Sequence, residues 1–405
     1  MDSNNTTNNE AEYMDDQNNV EATAVAYCEN NTFRNSRAKN ILQSKNLRSF
    51  LGVVVFLILL TTALWKIDSI FSYDYSDSWY LDDRLEQLNS YEPGEIDALY
   101  VGGSRVSVGI APILIWRETG LTGINIATNS QPPIISKYLT QKYVDKLQPK
   151  YVFIDLASIL TSSSLTNSKT YRFETGLQFT ETFSERWEIM RDHKEDFPDD
   201  DISEYIFPLY RDHTRWRSLK ERDFVTETEY PIFLLGGINE TSIKDENLTL
   251  ENKEHYDSYE TDIGFNEISM QYYQELVDYL LGQEIEVIVL KLPDVRGPGR
   301  AAASKSFADE NNLTFIDMSI DPIFSDMDFE LKGDFYDSGH LSLTGSYKYC
   351  TFLAHQLVNT YDIFNDERSD DDPLSVKFAQ YYEDYLEYFE GRKGEFAKYY
   401  VGKEE

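Results

Sequence analysis

Five short apolar runs punctuate the chain, at residues 97–102 (DALYVG), 123–127 (GINIA), 151–156 (YVFIDL), 285–292 (IEVIVLKL) and 313–318 (LTFIDM). They are rich in β-branched residues and do not alternate with polar ones, the pattern of strands buried on both faces. Helical periodicity fills intervals between them, at 134–146, 267–281 and 301–310. Strand and helix in alternation predict an α/β fold, a parallel sheet with helices on both faces. Residues 161–265 break the rhythm. They are polar, aromatic and helix-prone, and read as a helical insertion between the third and fourth strands. A last periodic stretch places Phe378, Tyr382, Tyr385, Leu386 and Phe389 on one stripe, expected to dock on the chain's own α/β body. No internal repeat is present.

One apolar run is of another kind. Residues 49–65 (SFLGVVVFLILLTTALW) carry no charge and are closed by Lys66. At about 1.5 Å per residue a helix of this run reaches about 25 Å, near the lower limit for crossing a bilayer. Five cations and no acid occupy 34–48, and Trp65 stands where an interfacial aromatic belongs. A buried core helix would not explain the one-sided cations. A cleaved signal peptide would have an unusually long leader and no clear small-x-small site. The expectation is an uncleaved single-pass anchor, with the N-terminus cytoplasmic and residue 67 onward extracellular.

Charge sharpens this picture. The chain has 405 residues and a formal net charge of −34. From residue 67 onward it holds 64 acids and 31 bases, so nearly all the negative charge lies in the part placed outside. Such a surface excludes ordinary nucleic-acid binding, which neutralises phosphates with Lys and Arg. Two cysteines, Cys28 and Cys350, fall on opposite sides of the expected membrane and are read as structural. The expected organisation is a disordered cytoplasmic tail (1–48), a transmembrane helix (49–66), a juxtamembrane linker (67–94), an α/β domain (95–365) and an acidic, aromatic C-terminal extension (366–405).

Two motifs carry chemistry. Gly102-Gly103-Ser104-Arg105 follows the first strand, where glycines permit a sharp turn that lifts a hydroxyl into the crevice above the sheet. Asp337-Ser338-Gly339-His340 follows the fifth strand. An Asp three residues before a His suits a carboxylate that orients an imidazole, leaving the second ring nitrogen to take a proton from a serine. Of five histidines, His340 alone lies in a Gly-containing loop beside a carboxylate after the last strand. No second His or Cys stands at ligand spacing, so neither a metal nor a cofactor is expected.

Together these motifs resemble the SGNH/GDSL hydrolase superfamily, as does the text GIAPILIWRETGLTGINIATNSQPP after the serine. The resemblance spans about 95–160 and 265–360. It implies a flavodoxin-like three-layer sandwich with a five-stranded parallel sheet. It implies Ser104 as nucleophile, His340 as general base and Asp337 as its orienting partner. The family's oxyanion Gly falls on Ser130, whose backbone N–H survives the change. Its oxyanion Asn falls on Ile159, which cannot donate, and loss of one such donor costs about 2.7–4 kcal/mol. Asn129 and Arg105 are the candidate substitutes. Arg105 and Arg215 are candidate substrate-binding cations, and the Tyr210–Trp216 stretch is expected to pack Trp216 into the core. The implied activity is that of a membrane-anchored serine esterase or O-acyltransferase acting on acylated envelope glycans. The alternative is an inactive protein of the same fold that binds glycan or a membrane partner. The expected partners are the lipid bilayer, a surface glycan and a membrane protein.

Overall fold

The computed structural model describes residues 45–71, 81–156, 170–180, 182–219, 232–235, 267–293, 295, 301–320, 322–365 and 368–400. The chain divides into two units, residues 1–72 and 73–405. In the first, a helix spans Lys45–Phe71. Its segment Leu47–Ile67, of mean hydropathy 2.3 and with none of it buried, is long and apolar enough to cross a membrane. Thr61 and Thr62 turn their hydroxyls back onto the carbonyls of Leu57 and Ile58, which hides these polar groups within the helix.

The second unit is an α/β sandwich. Strands β1 (Ala98–Val101), β2 (Gly123–Asn125), β3 (Tyr151–Asp155), β4 (Glu286–Lys291) and β5 (Thr314–Asp317) form one sheet in the order β2-β1-β3-β4-β5. All its pairings are parallel, with Leu99 opposite Val152 and Ile288 opposite Thr314 in the ladder. This is the flavodoxin-like doubly wound order. The chain reverses direction across the sheet between β1 and β3, the switch point at whose carboxyl ends doubly wound sheets place their ligand crevice. Every expected strand forms, most of them trimmed at the ends. β2 is assigned only to Asn125, although the Ile126 N–H still donates to the Tyr100 carbonyl at 3.0 Å, and the Asn125 side chain donates to the Val106 and Ile110 carbonyls.

Helices cover both faces. The helix Leu343–Asn359 packs against both Ser104–Gly109 and Pro112–Thr119. Pro133–Leu147 and Glu267–Gly282 also pair, through the Lys137–Glu275 ion pair among other contacts. The C-terminal helix Pro373–Tyr400 docks on the α/β body, as its apolar stripe required. Phe378, Tyr385 and Phe389 are buried, Tyr382 and Leu386 half-buried, and Phe378 meets Tyr91 and Trp116. Arg368 ties the start of this extension to Asp97 and to the Gly94 carbonyl.

Three local results differ from expectation. Residues 67–94 include the helix Leu81–Ser90, whose Arg84, Gln87 and Leu88 are buried with Tyr91 in the core, so this stretch is more than a linker. Trp216 is 59% exposed rather than core. It lies on the short 3₁₀ helix His213–Arg217, where the Arg217 guanidinium covers one face of its ring. The third concerns Asp337 and His340, which belong to a small antiparallel hairpin, β6 (Phe335–Asp337) and β7 (His340–Leu341), rather than a loop.

Candidate active site

Ser104 opens the helix Ser104–Gly109 directly after β1. The turn that places it depends on Gly102. A Cβ there would stand 2.5 Å from Val106 Cγ2 and 3.3 Å from the Asp155 Cβ, so no larger residue fits between β1 and β3. On the other side of the crevice the β6–β7 hairpin sets Asp337 directly opposite His340. Cross-strand neighbours in a two-residue hairpin face each other at side-chain contact distance.

The three side chains form one chain of hydrogen bonds. Ser104 Oγ lies 2.7 Å from His340 Nε2, and His340 Nδ1 lies 2.8 Å from Asp337 Oδ1. The Gly339 backbone N–H also donates to Asp337 Oδ1, at 2.8 Å, and fixes the carboxylate from within its own turn. Serine and histidine are 236 residues apart in sequence, so only the tertiary fold brings them into contact. The geometry is that of a nucleophile, a base and an orienting acid.

The loop after β2 carries both expected oxyanion candidates. Asn129 and Ser130 are half-buried at its tip. Ser130 has φ +52°, in the left-handed region that glycine adopts most readily. Thr128 donates to Gln131 Oε1 at 2.8 Å, and Gln131 Nε2 donates to Ser136 at 3.0 Å, so a buried polar chain closes the loop onto the helix behind it. Ile159 lies outside the described residues. Arg105 is buried, while Arg215 is half-buried in the insertion beside exposed Trp216. Among the described residues, no group of three His, Cys, Asp or Glu side chains could hold a metal ion.

Two features were not singled out from the sequence. The carboxyl ends of β3, β4 and β5 carry buried Asp155, Lys291 and Asp317 beneath the crevice, with Lys291 Nζ donating to the Leu292 carbonyl. A charged residue at the end of each apolar run (FID, VLK, FID) was the available signal. Arg84 is the other: an arginine on the buried stripe of its helix, one turn before Leu88.

No protein-family model matches the chain, and no curated protein does. Among solved structures, the chain is similar to a "putative acylhydrolase" from Bacteroides fragilis, at 13% identity and a TM-score of 0.33. That match covers 71% of this chain and 98% of the other. A likeness this remote says nothing about chemistry, which has to be read from the site's own side chains.

His193 also sits beside a carboxylate, with Asp200 Oδ2 3.0 Å from its Nε2. It is enclosed between Phe173 and Phe197, away from solvent, and burial holds its pKa below the usual histidine range. A walled-in imidazole of this kind packs the insertion. Cys350 is inert. It is buried beside the Ala111 N–H and the Gly109 carbonyl, and burial pushes its thiol up to about 12. Iodoacetamide at pH 8 is therefore expected to leave Cys350 unmodified in the native chain and to alkylate it once urea unfolds the domain. Peptide mass mapping reads the difference, and rapid native labelling at Cys350 would contradict this account.

Proposed function

We propose that the protein is a serine hydrolase or O-acyltransferase of the SGNH type that works through an acyl-serine intermediate. The observation that carries this reading is the continuous Ser104–His340–Asp337 hydrogen-bond chain. Ser104 Oγ attacks the carbonyl carbon of an ester while His340 Nε2 takes the hydroxyl proton. Asp337 holds the Nδ1–H side of the ring and stabilises the imidazolium that forms. His340 then returns the proton to the departing alcohol, leaving the acyl group on Ser104. Water as second acceptor completes hydrolysis, and a sugar hydroxyl completes transfer.

The left-handed Ser130 supports the same reading, because it stands where the resemblance expects the oxyanion glycine. Its N–H is the candidate donor to the developing oxyanion, with Asn129 beside it. The apolar helix Leu47–Ile67 and the cations before it support an extracytoplasmic, membrane-anchored enzyme, with acylated envelope glycans as substrates. The test is a fluorophosphonate probe on the full chain in detergent. Stoichiometric phosphonylation of Ser104, absent in His340→Gln, is the expected result. A folded protein that leaves the probe unreacted would overturn the proposal.

A second reading is favoured by one observation. Five large aromatics of the insertion, Phe183, Trp187, Phe207, Tyr210 and Trp216, are exposed, and Phe183 contacts both Trp187 and Phe207. Rings displayed in this way suit stacking against sugars or a protein partner, and that role needs no catalysis. Glycan binding retained in full by a Ser104→Ala chain that is otherwise unreactive would favour it.

A further inference from the structure

The helix Leu81–Ser90 is the first described element after the apolar helix, and it sends one arginine into the core. Arg84 is 1% exposed. A guanidinium so deeply buried costs several kcal/mol unless its environment compensates the charge. Here Nη2 donates to the carbonyls of Asn125, at 2.8 Å, and Ala127, at 3.2 Å. The guanidinium also lies 5.0 Å from the centre of the Phe179 ring, in the insertion. One side chain therefore joins the pre-domain helix, the exit from β2 and the insertion.

The two carbonyls belong to the base of the loop that carries Asn129 and Ser130. β2 is the edge strand of the sheet among the described residues; on its outer side the Asn125 N–H donates to the Leu235 carbonyl at 2.8 Å, which leaves the Asn125 and Ala127 carbonyls to other donors. Arg84 serves both of these carbonyls, as a further strand would. Asn125 completes the connection inward. Its Nδ2 donates to the Val106 and Ile110 carbonyls, in and just after the helix that Ser104 opens, and its Oδ1 accepts from the Ala127 N–H. The far end of the loop is closed by Thr128, Gln131 and Ser136. The Ser130 N–H is thus held from both sides, by Arg84 at the entry and by Gln131 at the exit.

We infer that Arg84 is a positioning residue for the oxyanion loop: it sets the direction in which the chain leaves β2, and so the distance from the Ser130 N–H to the carbonyl that Ser104 attacks. The inference rests on the acyl-serine reading above and goes beyond it. One arginine, on a helix that the pattern of the sequence placed outside the domain, becomes part of the active site's support. A displacement of about 1 Å in such a donor can cost about a hundredfold in rate while substrate affinity holds.

The experiment uses the full chain in detergent, with p-nitrophenyl acetate as substrate, and compares wild type, Arg84→Met, Arg84→Lys and Leu88→Ala. Leu88 is buried on the same helix, so its truncation reports a purely structural loss. Arg84→Met is expected to lower kcat about tenfold to a hundredfold, with KM changed less than about twofold. Arg84→Lys, which keeps the charge and one donor but not the planar fork, is expected to fall between. Leu88→Ala is expected to lower the melting temperature with kcat per folded molecule unchanged. Hydrogen exchange gives a readout independent of turnover: amides at 126–131 should lose protection in Arg84→Met and keep it in Leu88→Ala. An Arg84→Met chain whose kcat and loop protection match those of Leu88→Ala would overturn the inference. A wild type without Ser104-dependent turnover would overturn the acyl-serine reading instead. The exchange data would then decide separately whether Arg84 holds the loop.

Discussion

Ser104→Ala and His340→Gln are each expected to lower kcat for p-nitrophenyl acetate by a factor on the order of 10⁴–10⁶, and the double variant by no more than either alone. The reason is geometric. A serine hydroxyl is a weak nucleophile until a base within hydrogen-bond reach takes its proton, and His340 Nε2 stands 2.7 Å away. Removing either partner removes the whole acylation step, so the losses do not add. Asp337→Asn is expected to cost on the order of 10⁴ in kcat while the fold stays intact. The amide cannot supply the negative charge that steadies the imidazolium, and it can present its N–H₂ to Nδ1 and so favour the wrong tautomer. Steady-state kinetics with matched far-ultraviolet circular dichroism reads all four proteins. Additive losses, or a Ser104→Ala chain at wild-type rate, would place the chemistry elsewhere.

Gly345→Ala is expected to be among the most damaging single-methyl changes in the chain. A Cβ at this position would lie 1.9 Å from the Asp334 carbonyl oxygen and 2.8 Å from its carbon. Those are backbone atoms, and they are already committed. Asp334 O accepts from the Ser342 N–H at 2.9 Å, and the Asp334 carboxylate pairs with Lys348 at 2.7 Å. The methyl can be accommodated only if the helix Leu343–Asn359 and the residue leading into β6 move apart. Overpacking of this kind costs about 1–3 kcal/mol or more. Because β6 carries Asp337, the same displacement should lengthen the contact between Ser104 and His340 and lower kcat in the molecules that remain folded. Gly391→Ala is the control. It lies in the helix Pro373–Tyr400, where an added methyl would meet nothing within 4 Å, and should be neutral or stabilising by about 0.5–1 kcal/mol. Urea unfolding monitored by tyrosine and tryptophan fluorescence gives both values. Equal midpoints for the two variants would refute the steric account.

How much of this could be read from residues alone depended on the range of the interaction. The five strands and their order of appearance follow from local apolar runs, because a doubly buried parallel strand has nowhere to place polar groups. The docking stripe of the C-terminal helix is equally local, a 3.6-residue period that buries Phe378, Tyr385 and Phe389. Ser104 and the Asp337–His340 pair were legible because each motif is short and chemically unusual. Trp216 was read as core from its residue type. In the fold it is 59% exposed, with the Arg217 guanidinium 5.0 Å from its ring centre.

Arg84 shows the opposite case. Its helix is only ten residues long and follows an apolar segment, so its local pattern resembled a connector. Its partners lie 41 and 43 residues away on the edge of the sheet, and no local periodicity announces such a contact. The apolar helix, the parallel strands and the motifs that hold Ser104, Asp337 and His340 are properties of neighbouring residues, set by backbone sterics, hydrophobic period and local residue type. The 2.7 Å contact across 236 residues, the left-handed turn at Ser130 and the arginine under the loop depend on how distant segments pack, and only the folded chain decides them.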